Sequence, residues 1–292
     1  MCDENTVEDN KKYLKKAGWF SRRQFSKLTA GSALAMLLPR VAHALDVSER
    51  DVMVPTPDGM ADCYFVTPSS GTHPGVLIWP DILGLRPAFR AMGKRLAESG
   101  YSVLVVNPYY RSATAPVIPE GASFADESTR NTVFPLARQL SAETHMTDAK
   151  AFVAFIDAQA EVDTSRKIGT TGYCMGGPIV MRTAAAVPDR IGAGATFHGG
   201  GLVTDNPDSP HLLVPTMKAH FLIAIAANDD ERDPEAKNVL RETYDKAGLP
   251  AEIEVYEGAM HGWCPPDSSV YHEAQAERAW ARLLVLFATA LT

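Results

Sequence analysis

From Leu45 to the C-terminus, short apolar runs alternate with longer segments whose apolar residues recur at helical spacing. The run in HPGVLIWPD, residues 73–81, is of the short kind that predicts a strand buried on both faces. The segment 86–100 follows it with helical spacing and ends at Gly100, a typical helix stop. Repeated strand–helix units of this kind predict an α/β fold with a doubly wound, mostly parallel sheet and helices on both faces.

The predicted elements follow one another without a linker, a low-complexity run or an internal repeat, which predicts a single domain over residues 45–292. Two strands flank the turn Pro57-Asp58-Gly59. Further strands are predicted at 73–81, 101–108, 167–174, 191–200, 220–229 and 251–258, and further helices at 148–160, 235–248 and 271–291. The segment 111–147 is longer than a usual connection, so we predict that it forms a lid.

The first 44 residues have a different pattern. The basic segment SRRQFSK, residues 21–27, precedes an apolar run too short to span a bilayer, and Ala42-His43-Ala44 follows. This order predicts a signal peptide, and the paired arginines resemble a twin-arginine export signal. We therefore expect a twin-arginine export machinery as a partner and a periplasmic or secreted mature chain. The alternative is an uncleaved anchor or a plain amphipathic helix.

Charge and cysteine content narrow the possible functions. Removal of residues 1–44, which carry eight Lys or Arg and four Asp or Glu, takes the net charge from −7 to −11. Such acidity argues against nucleic acid or an anionic membrane as a partner of the mature chain. The remaining cysteines are Cys63, Cys174 and Cys264, and no pair of them has zinc-site spacing. We expect neither a metal nor an organic cofactor.

The motif GYCMGG, residues 172–177, places a cysteine between glycines where a predicted strand gives way to a predicted helix. Gly172 and Gly176 tolerate the dihedral angles and close backbone approach that a sharp turn needs. A strand-to-helix turn that displays one side chain is the geometry of a nucleophile elbow, with Cys174 in the usual place of serine. The alternative is that Cys174 is a small buried core residue.

Two further candidates follow later predicted strands. Asp229 ends the strand segment HFLIAIAAND, and His261 lies in the loop EGAMHGW. The chain order nucleophile, acid, histidine is that of an α/β-hydrolase triad. Cys174 would attack as a thiolate, His261 would move the proton, and Asp229 would orient the imidazole. Asp230 is an alternative acid, and His198 is a competing histidine that breaks the order.

Two backbone amides are placed to stabilise the oxyanion of an acyl-transfer reaction. Met175 follows the nucleophile, and Ile82 follows the strand segment 73–81. Amides at these two positions form the oxyanion hole of an elbow-type hydrolase.

The motifs GYCMGG, AAND and EGAMHGWCPPD, in this order from about Asp51 to the C-terminus, resemble the dienelactone hydrolase family of α/β-hydrolases. The resemblance implies the α/β-hydrolase fold and cleavage of a lactone or ester. It implies that a carboxylate gates the resting thiol, a role that falls on Asp81 where the family has glutamate. It also implies a substrate-binding arginine at Arg111, whereas Pro265 stands where the family has a second arginine.

The combined prediction is an exported cysteine-type hydrolase of a small-molecule carboxylic ester or lactone. Two other classes of protein remain open at this point. One is a thiol-redox or sensor protein in which Cys174 pairs with Cys264 or is oxidised. The other is a catalytically silent ligand-binding module on a hydrolase scaffold.

Overall fold

The computed structural model describes residues 6–8, 10, 12, 38–39, 41 and 44–292. The twin-arginine motif at 21–27 and two residues of the predicted cleavage site, Ala42 and His43, lie outside these residues. The signal peptide therefore stays a prediction. Among the described residues, no helix combines the length and the apolar character that a membrane span requires.

Eight strands form one sheet in the order β1-β2-β4-β3-β5-β6-β7-β8. The pairs β1·β2 and β2·β4 are antiparallel, and the five other neighbouring pairs are parallel. The mostly parallel sheet predicted from the sequence is confirmed. The strands are β1 (Val47–Thr56), β2 (Gly59–Pro68), β3 (Gly75–Trp79), β4 (Ser102–Val106), β5 (Ile168–Tyr173), β6 (Ile191–Phe197), β7 (His220–Ala226) and β8 (Ala251–Tyr256).

Helices cover both faces of the sheet. One face packs against α3, α4 and α6, and the other packs against α1 and α7, each through its own buried apolar cluster. Numbered within residues 44–292, the helices are α1 (Pro87–Glu98), α2 (Glu127–Ala137), α3 (Ala142–Asp157), α4 (Gly176–Ala186), α5 (Ala227–Arg232), α6 (Ala236–Ala247) and α7 (Glu273–Ala290).

Two differences from the sequence-based boundaries bear on the site. Helix α3 begins at Ala142, because the side chain of Ser141 accepts a hydrogen bond from the amide of Thr144 and the Thr144 side chain accepts one from the amide of Ser141. The segment predicted as a lid therefore ends at the helix start, and it contains α2. Strand β7 ends at Ala226, so Asp229 lies in the first turn of α5 rather than at a strand end.

The fold brings the carboxyl ends of the parallel strands to one edge of the sheet, where α/β proteins bind their ligands. The segments that follow six strands carry one residue each that matters for the site below. These are Ile82 after β3, Tyr109 after β4, Cys174 after β5, His198 after β6, Asp229 after β7 and His261 after β8.

Candidate active site

Cys174 lies on the sharp turn between β5 and α4. Its φ of 52° is in the left-handed region, which a residue with a side chain rarely adopts. A Cβ atom on Gly172 would lie 2.3 Å from the carbonyl oxygen of Gly176, and one on Gly176 would lie 2.4 Å from that of Trp79. Only glycine fits at both positions. The strained turn is the geometry that GYCMGG predicts for an elbow.

The three described cysteines differ in state. Cys174 is only 1% exposed and is disulfide-bonded, whereas Cys63 and Cys264 are free and buried. The pairing of Cys174 with Cys264 that a redox protein could use is therefore absent from the structure. Burial raises the pKa of the Cys63 and Cys264 thiols, which makes both unreactive.

A carboxylate holds the candidate histidine. Oδ2 of Asp229 lies 2.7 Å from Nδ1 of His261, and the His261 amide donates to Oδ1 of Asn228 at 2.8 Å. Asp230 binds Lys237 instead, through contacts of 2.6 and 2.7 Å. The structure thus pairs His261 with Asp229 and not with its neighbour. Nδ1 carries the proton in this pair, since a carboxylate only accepts.

His198, the competing histidine of the sequence, packs against His261. The two ring centroids are 5.0 Å apart at 63°, and the indole of Trp263 lies 5.1 Å from the His198 ring. Neither ring nitrogen of His198 has a hydrogen-bond partner among the described residues, and its φ is 42°. Burial, with the nearby His261, holds the pKa of His198 well below its usual range. His198 therefore packs beside His261 as an uncharged ring.

Tyr109 connects the two residues of the predicted oxyanion hole. Its hydroxyl donates to the carbonyl oxygen of Ile82 at 2.8 Å and lies 3.3 Å from Sδ of Met175. Among the described residues, the backbone amides of Ile82 and Met175 have no hydrogen-bond acceptor, so both could donate to an oxyanion. Burial raises the pKa of Tyr109, so its hydroxyl stays protonated. Tyr109 was not among the site residues predicted from the sequence, although its place just after β4 was a usable signal.

Both carboxylate oxygens of Asp81, the predicted thiol-gating residue, bind Arg86. Nη1 of Arg86 donates to Oδ1 of Asp81 at 2.7 Å, and Nη2 donates to Oδ2 at 3.0 Å. The Leu83 amide donates to Oδ1 as well. Arg86 also binds Asp267, at 2.6 and 2.9 Å, and so connects the loop after β3 with the loop that follows His261. Asp81 thus forms a buried ion pair with Arg86, which the sequence did not predict, and its assignment to the thiol stays a prediction.

Arg111 is similarly committed to carboxylates of the protein. Its Nη1 and Nη2 donate to the two oxygens of the buried Asp148 at 2.8 and 2.7 Å, and Nε and Nη2 donate to Asp58 at 3.0 and 2.6 Å. All three guanidinium nitrogens therefore have protein partners. The expectation from the family resemblance that Arg111 binds a substrate carboxylate stays a prediction, which these contacts do not favour.

An apolar cluster surrounds Cys174. Buried residues of this cluster come from the loop after β3, from the elbow and from the segment before α3 that we predicted to be a lid. Two phenylalanine rings from that segment, Phe124 and Phe134, meet edge to face at 5.8 Å and pack against the cluster. The buried members are Ile82, Tyr109, Ile118, Val133, Cys174 and Met175.

Known proteins resemble this chain over most of its length. Carboxymethylenebutenolidase of Rhodococcus opacus is 26% identical over 226 residues, which are 76% of this chain and 84% of the relative. Hydrolase tropI of Talaromyces stipitatus is 28% identical over 197 residues, 67% of this chain and 72% of the relative. Both alignments span most of this chain and most of the relative.

Solved structures share the fold at lower sequence identity. A dienelactone hydrolase-like promiscuous phosphotriesterase from metagenomic libraries superposes with a TM-score of 0.70 at 20% identity, over 84% of this chain and 99% of that one. The likeness establishes the α/β-hydrolase fold. The model of the dienelactone hydrolase family matches residues 61–291, from β2 to the end of the last helix. The chain therefore belongs to the dienelactone hydrolase family.

Proposed function

We propose that this chain is a cysteine-type hydrolase of carboxylic esters or lactones, with Cys174, His261 and Asp229 as its catalytic triad. The observation that carries the proposal is the 2.7 Å contact between Nδ1 of His261 and Oδ2 of Asp229. It lies at the sheet edge where Cys174 occupies a strained strand-to-helix turn. Membership of the dienelactone hydrolase family supports the same class of reaction.

In the first half of the reaction, Nε2 of His261 takes the proton of the reduced Cys174 thiol, and Sγ forms a bond to the substrate carbonyl carbon. The carbonyl oxygen becomes an oxyanion, which the amides of Ile82 and Met175 stabilise. The carbon–oxygen bond to the leaving group then breaks, and His261 gives its proton to the departing alkoxide. A thioester to Cys174 remains.

In the second half, water attacks the thioester carbonyl while His261 accepts a proton from that water. The new tetrahedral intermediate uses the same two amides. The carbon–sulfur bond breaks, the acid product leaves, and His261 returns the proton to Cys174. Asp229 keeps the imidazole in the required tautomer and stabilises its charged form in both halves.

The contacts of the site favour a neutral ester with an apolar acyl group as substrate. Arg111 is bound by two carboxylates of the protein, and Pro265 offers no charge where the family has an arginine. Apolar side chains that include Ile118, Val133 and Phe134 surround Cys174 instead. A substrate carboxylate would be desolvated here without a charged partner, which is unfavourable.

Release of p-nitrophenol from p-nitrophenyl butyrate, measured after reduction with TCEP, tests the proposal. Cys174→Ala and His261→Ala should each lose at least about a hundredfold in kcat/KM, since each removes a group that acts in the reaction. Asp229→Asn should lose far more than the matched variant Asp230→Asn. No turnover by the reduced wild-type protein would contradict the proposal and favour a silent ligand-binding module.

One observation favours a redox role as a second candidate, namely that Cys174 is disulfide-bonded. A protein that acts only by oxidation and reduction of the Cys174 thiol does not require the Asp229–His261 pair. The same assay with and without TCEP separates the two. Turnover that appears only after reduction supports a hydrolase controlled by oxidation, whereas reversible oxidation without turnover supports a redox protein.

We also propose that the mature hydrolase is exported by the twin-arginine route and acts in the periplasm or outside the cell. The motif SRRQFSK and the small residues that end at Ala44 support this proposal.

A further inference from the structure

Residues near the N-terminus contact the loop that carries His261. Nδ2 of Asn10 donates to the backbone carbonyl oxygen of His261 at 3.1 Å, and Nδ2 of Asn228 donates to Oδ1 of Asn10 at 2.8 Å. Thr6, four residues earlier, is only 4% exposed. These residues are 218 to 251 positions away from their partners in the sequence. The contact is therefore a tertiary one and not a local turn.

The two groups that Asn10 contacts belong to residues that also bind each other. The buried side chain of Asn228 accepts a hydrogen bond from the His261 amide at 2.8 Å, which orients its Nδ2 group. That group is a donor, and the carbonyl oxygen of His261 beside it is an acceptor. A primary carboxamide carries a carbonyl oxygen that accepts and an NH2 group that donates. Asn10 uses its oxygen for Asn228 and its NH2 group for His261.

We infer that Asn228 Nδ2 and the carbonyl oxygen of His261 form a carboxamide-binding subsite, and that Asn10 occupies it in the full-length chain. Asn10, which precedes the predicted cleavage site, thereby contacts the loop that carries His261. The inference rests on the proposed function in taking Cys174 as the nucleophile of this site. In this state, with Asn10 bound and Cys174 in a disulfide, Cys174 is 1% exposed. We expect the reduced Cys174 to react more slowly in the full-length chain than in a chain that starts at Leu45, because the Asn10 contact holds the loop of His261.

The segment offers a matched control. Glu8 and Lys12 form an ion pair at 3.1 Å whose side chains are 68% and 69% exposed. They lie on either side of Asn10 in the sequence but face solvent. Replacement of Glu8 changes the same segment without removal of a contact to the histidine loop.

Alkylation of Cys174 by iodoacetamide tests the inference without any need for ester turnover. The full-length protein, its Asn10→Ala and Glu8→Ala variants, and a chain that starts at Leu45 are first reduced with TCEP. The shortest of these contains the whole sheet, since β1 begins at Val47. Mass spectrometry of peptides then follows Cys174, with the buried Cys63 as internal reference for unfolding.

Asn10→Ala should be alkylated about five- to a hundredfold faster than the wild type, because it loses two hydrogen bonds that hold the segment. Its rate should approach that of the chain that starts at Leu45, and Glu8→Ala should stay within about twofold of the wild type. Equal rates for Asn10→Ala and the wild type would overturn the subsite, whether or not the shorter chain reacts faster. A failure of ester hydrolysis in every variant would contradict the proposed function but leave this result interpretable.

Discussion

The hydroxyl of Tyr109 donates a 2.8 Å hydrogen bond to the carbonyl oxygen of Ile82. The amide of Ile82 belongs to the loop that we expect to stabilise the oxyanion, so Tyr109 fixes the orientation of the donor without contact to the substrate carbonyl. Oxyanion donors contribute most when they are held in place before the reaction. Tyr109 is thus a positioning residue for the proposed reaction.

Tyr109→Phe should lower kcat about five- to thirtyfold while KM changes little, because the buried carbonyl of Ile82 loses its partner and the loop can rotate. Steady-state kinetics with p-nitrophenyl butyrate measures both constants. The adjacent Tyr110, whose hydroxyl contacts Thr56 and Asp148, provides the control. Tyr110→Phe should keep kcat within about threefold of the wild type. Equal losses in the two variants would indicate a general effect on stability.

Asp81→Asn should lower the free energy of unfolding by about 2–4 kcal/mol, because it leaves the buried charge of Arg86 with one carboxylate instead of two. Urea denaturation measures this change. The rate of Cys174 alkylation in the reduced, folded protein should stay within about threefold, since both carboxylate oxygens of Asp81 are bound to Arg86. Faster or slower alkylation with unchanged stability would restore the thiol-gating role.

Arg111→Met should act on stability and not on substrate choice. The variant leaves the buried Asp148 without its charged partner, which should lower the free energy of unfolding by about 3 kcal/mol. Burial already raises the pKa of Asp148 against the opposing effect of Arg111. The ratio of kcat/KM for a neutral ester to that for an anionic lactone should change less than about threefold. A selective rise in KM for the anionic lactone would show that Arg111 binds substrate after all.

His198 should make the protein sensitive to acid. Its pKa in the folded protein lies well below that of an unfolded chain, near 6.5, so the unfolded state binds more protons below that pH. Folding stability from this group is therefore complete above about pH 6.5 and decreases as the pH falls. Between pH 6.5 and 5 the loss should be about 2 kcal/mol. His198→Phe should remove that part of the loss, measured by urea denaturation at pH 7.5 and 5. An unchanged pH dependence would mean that His198 is protonated in the folded state.

Export should produce a mature chain that begins at Leu45. Mass spectrometry of periplasmic protein from cells that express the full sequence identifies the N-terminus. Replacement of Arg22 and Arg23 by lysine should retain the protein in the cytosol, because twin-arginine signals depend on that pair. An intact Met1 in the periplasmic fraction would contradict cleavage, and export of the lysine variant would contradict the route.

Local features of the chain were predictable. Apolar runs identified the buried strands, and the glycines around Cys174 identified the elbow, since both signals lie within a few residues. The start of α3 was not predicted, because its capping box carries Thr144 where the usual sequence signature has Glu or Gln.

Ion pairs between residues far apart in the sequence could not be predicted. Arg86 and Asp267 are 181 positions apart, and Arg111 and Asp148 are 37 apart. Nothing in the sequence near Arg111 indicates that Asp148 binds it, whereas the partner of Asp81, Arg86, lies only five positions away without a signal that the two pair. The sequence therefore did not predict that Asp81 and Arg111 form buried ion pairs within the protein.

The left-handed backbone conformation at Cys174 favours glycine, whereas the proposed reaction requires a thiol at the same position. Glycine would relieve the steric conflict at a φ of 52°, which costs a residue with a side chain about 1 kcal/mol. Glycine has no sulfur, however, and could not attack a carbonyl. Selection for a more stable fold and selection for the proposed turnover thus favour different residues here, and a search for thermally stable variants will tend to replace the proposed nucleophile before it replaces the surrounding core.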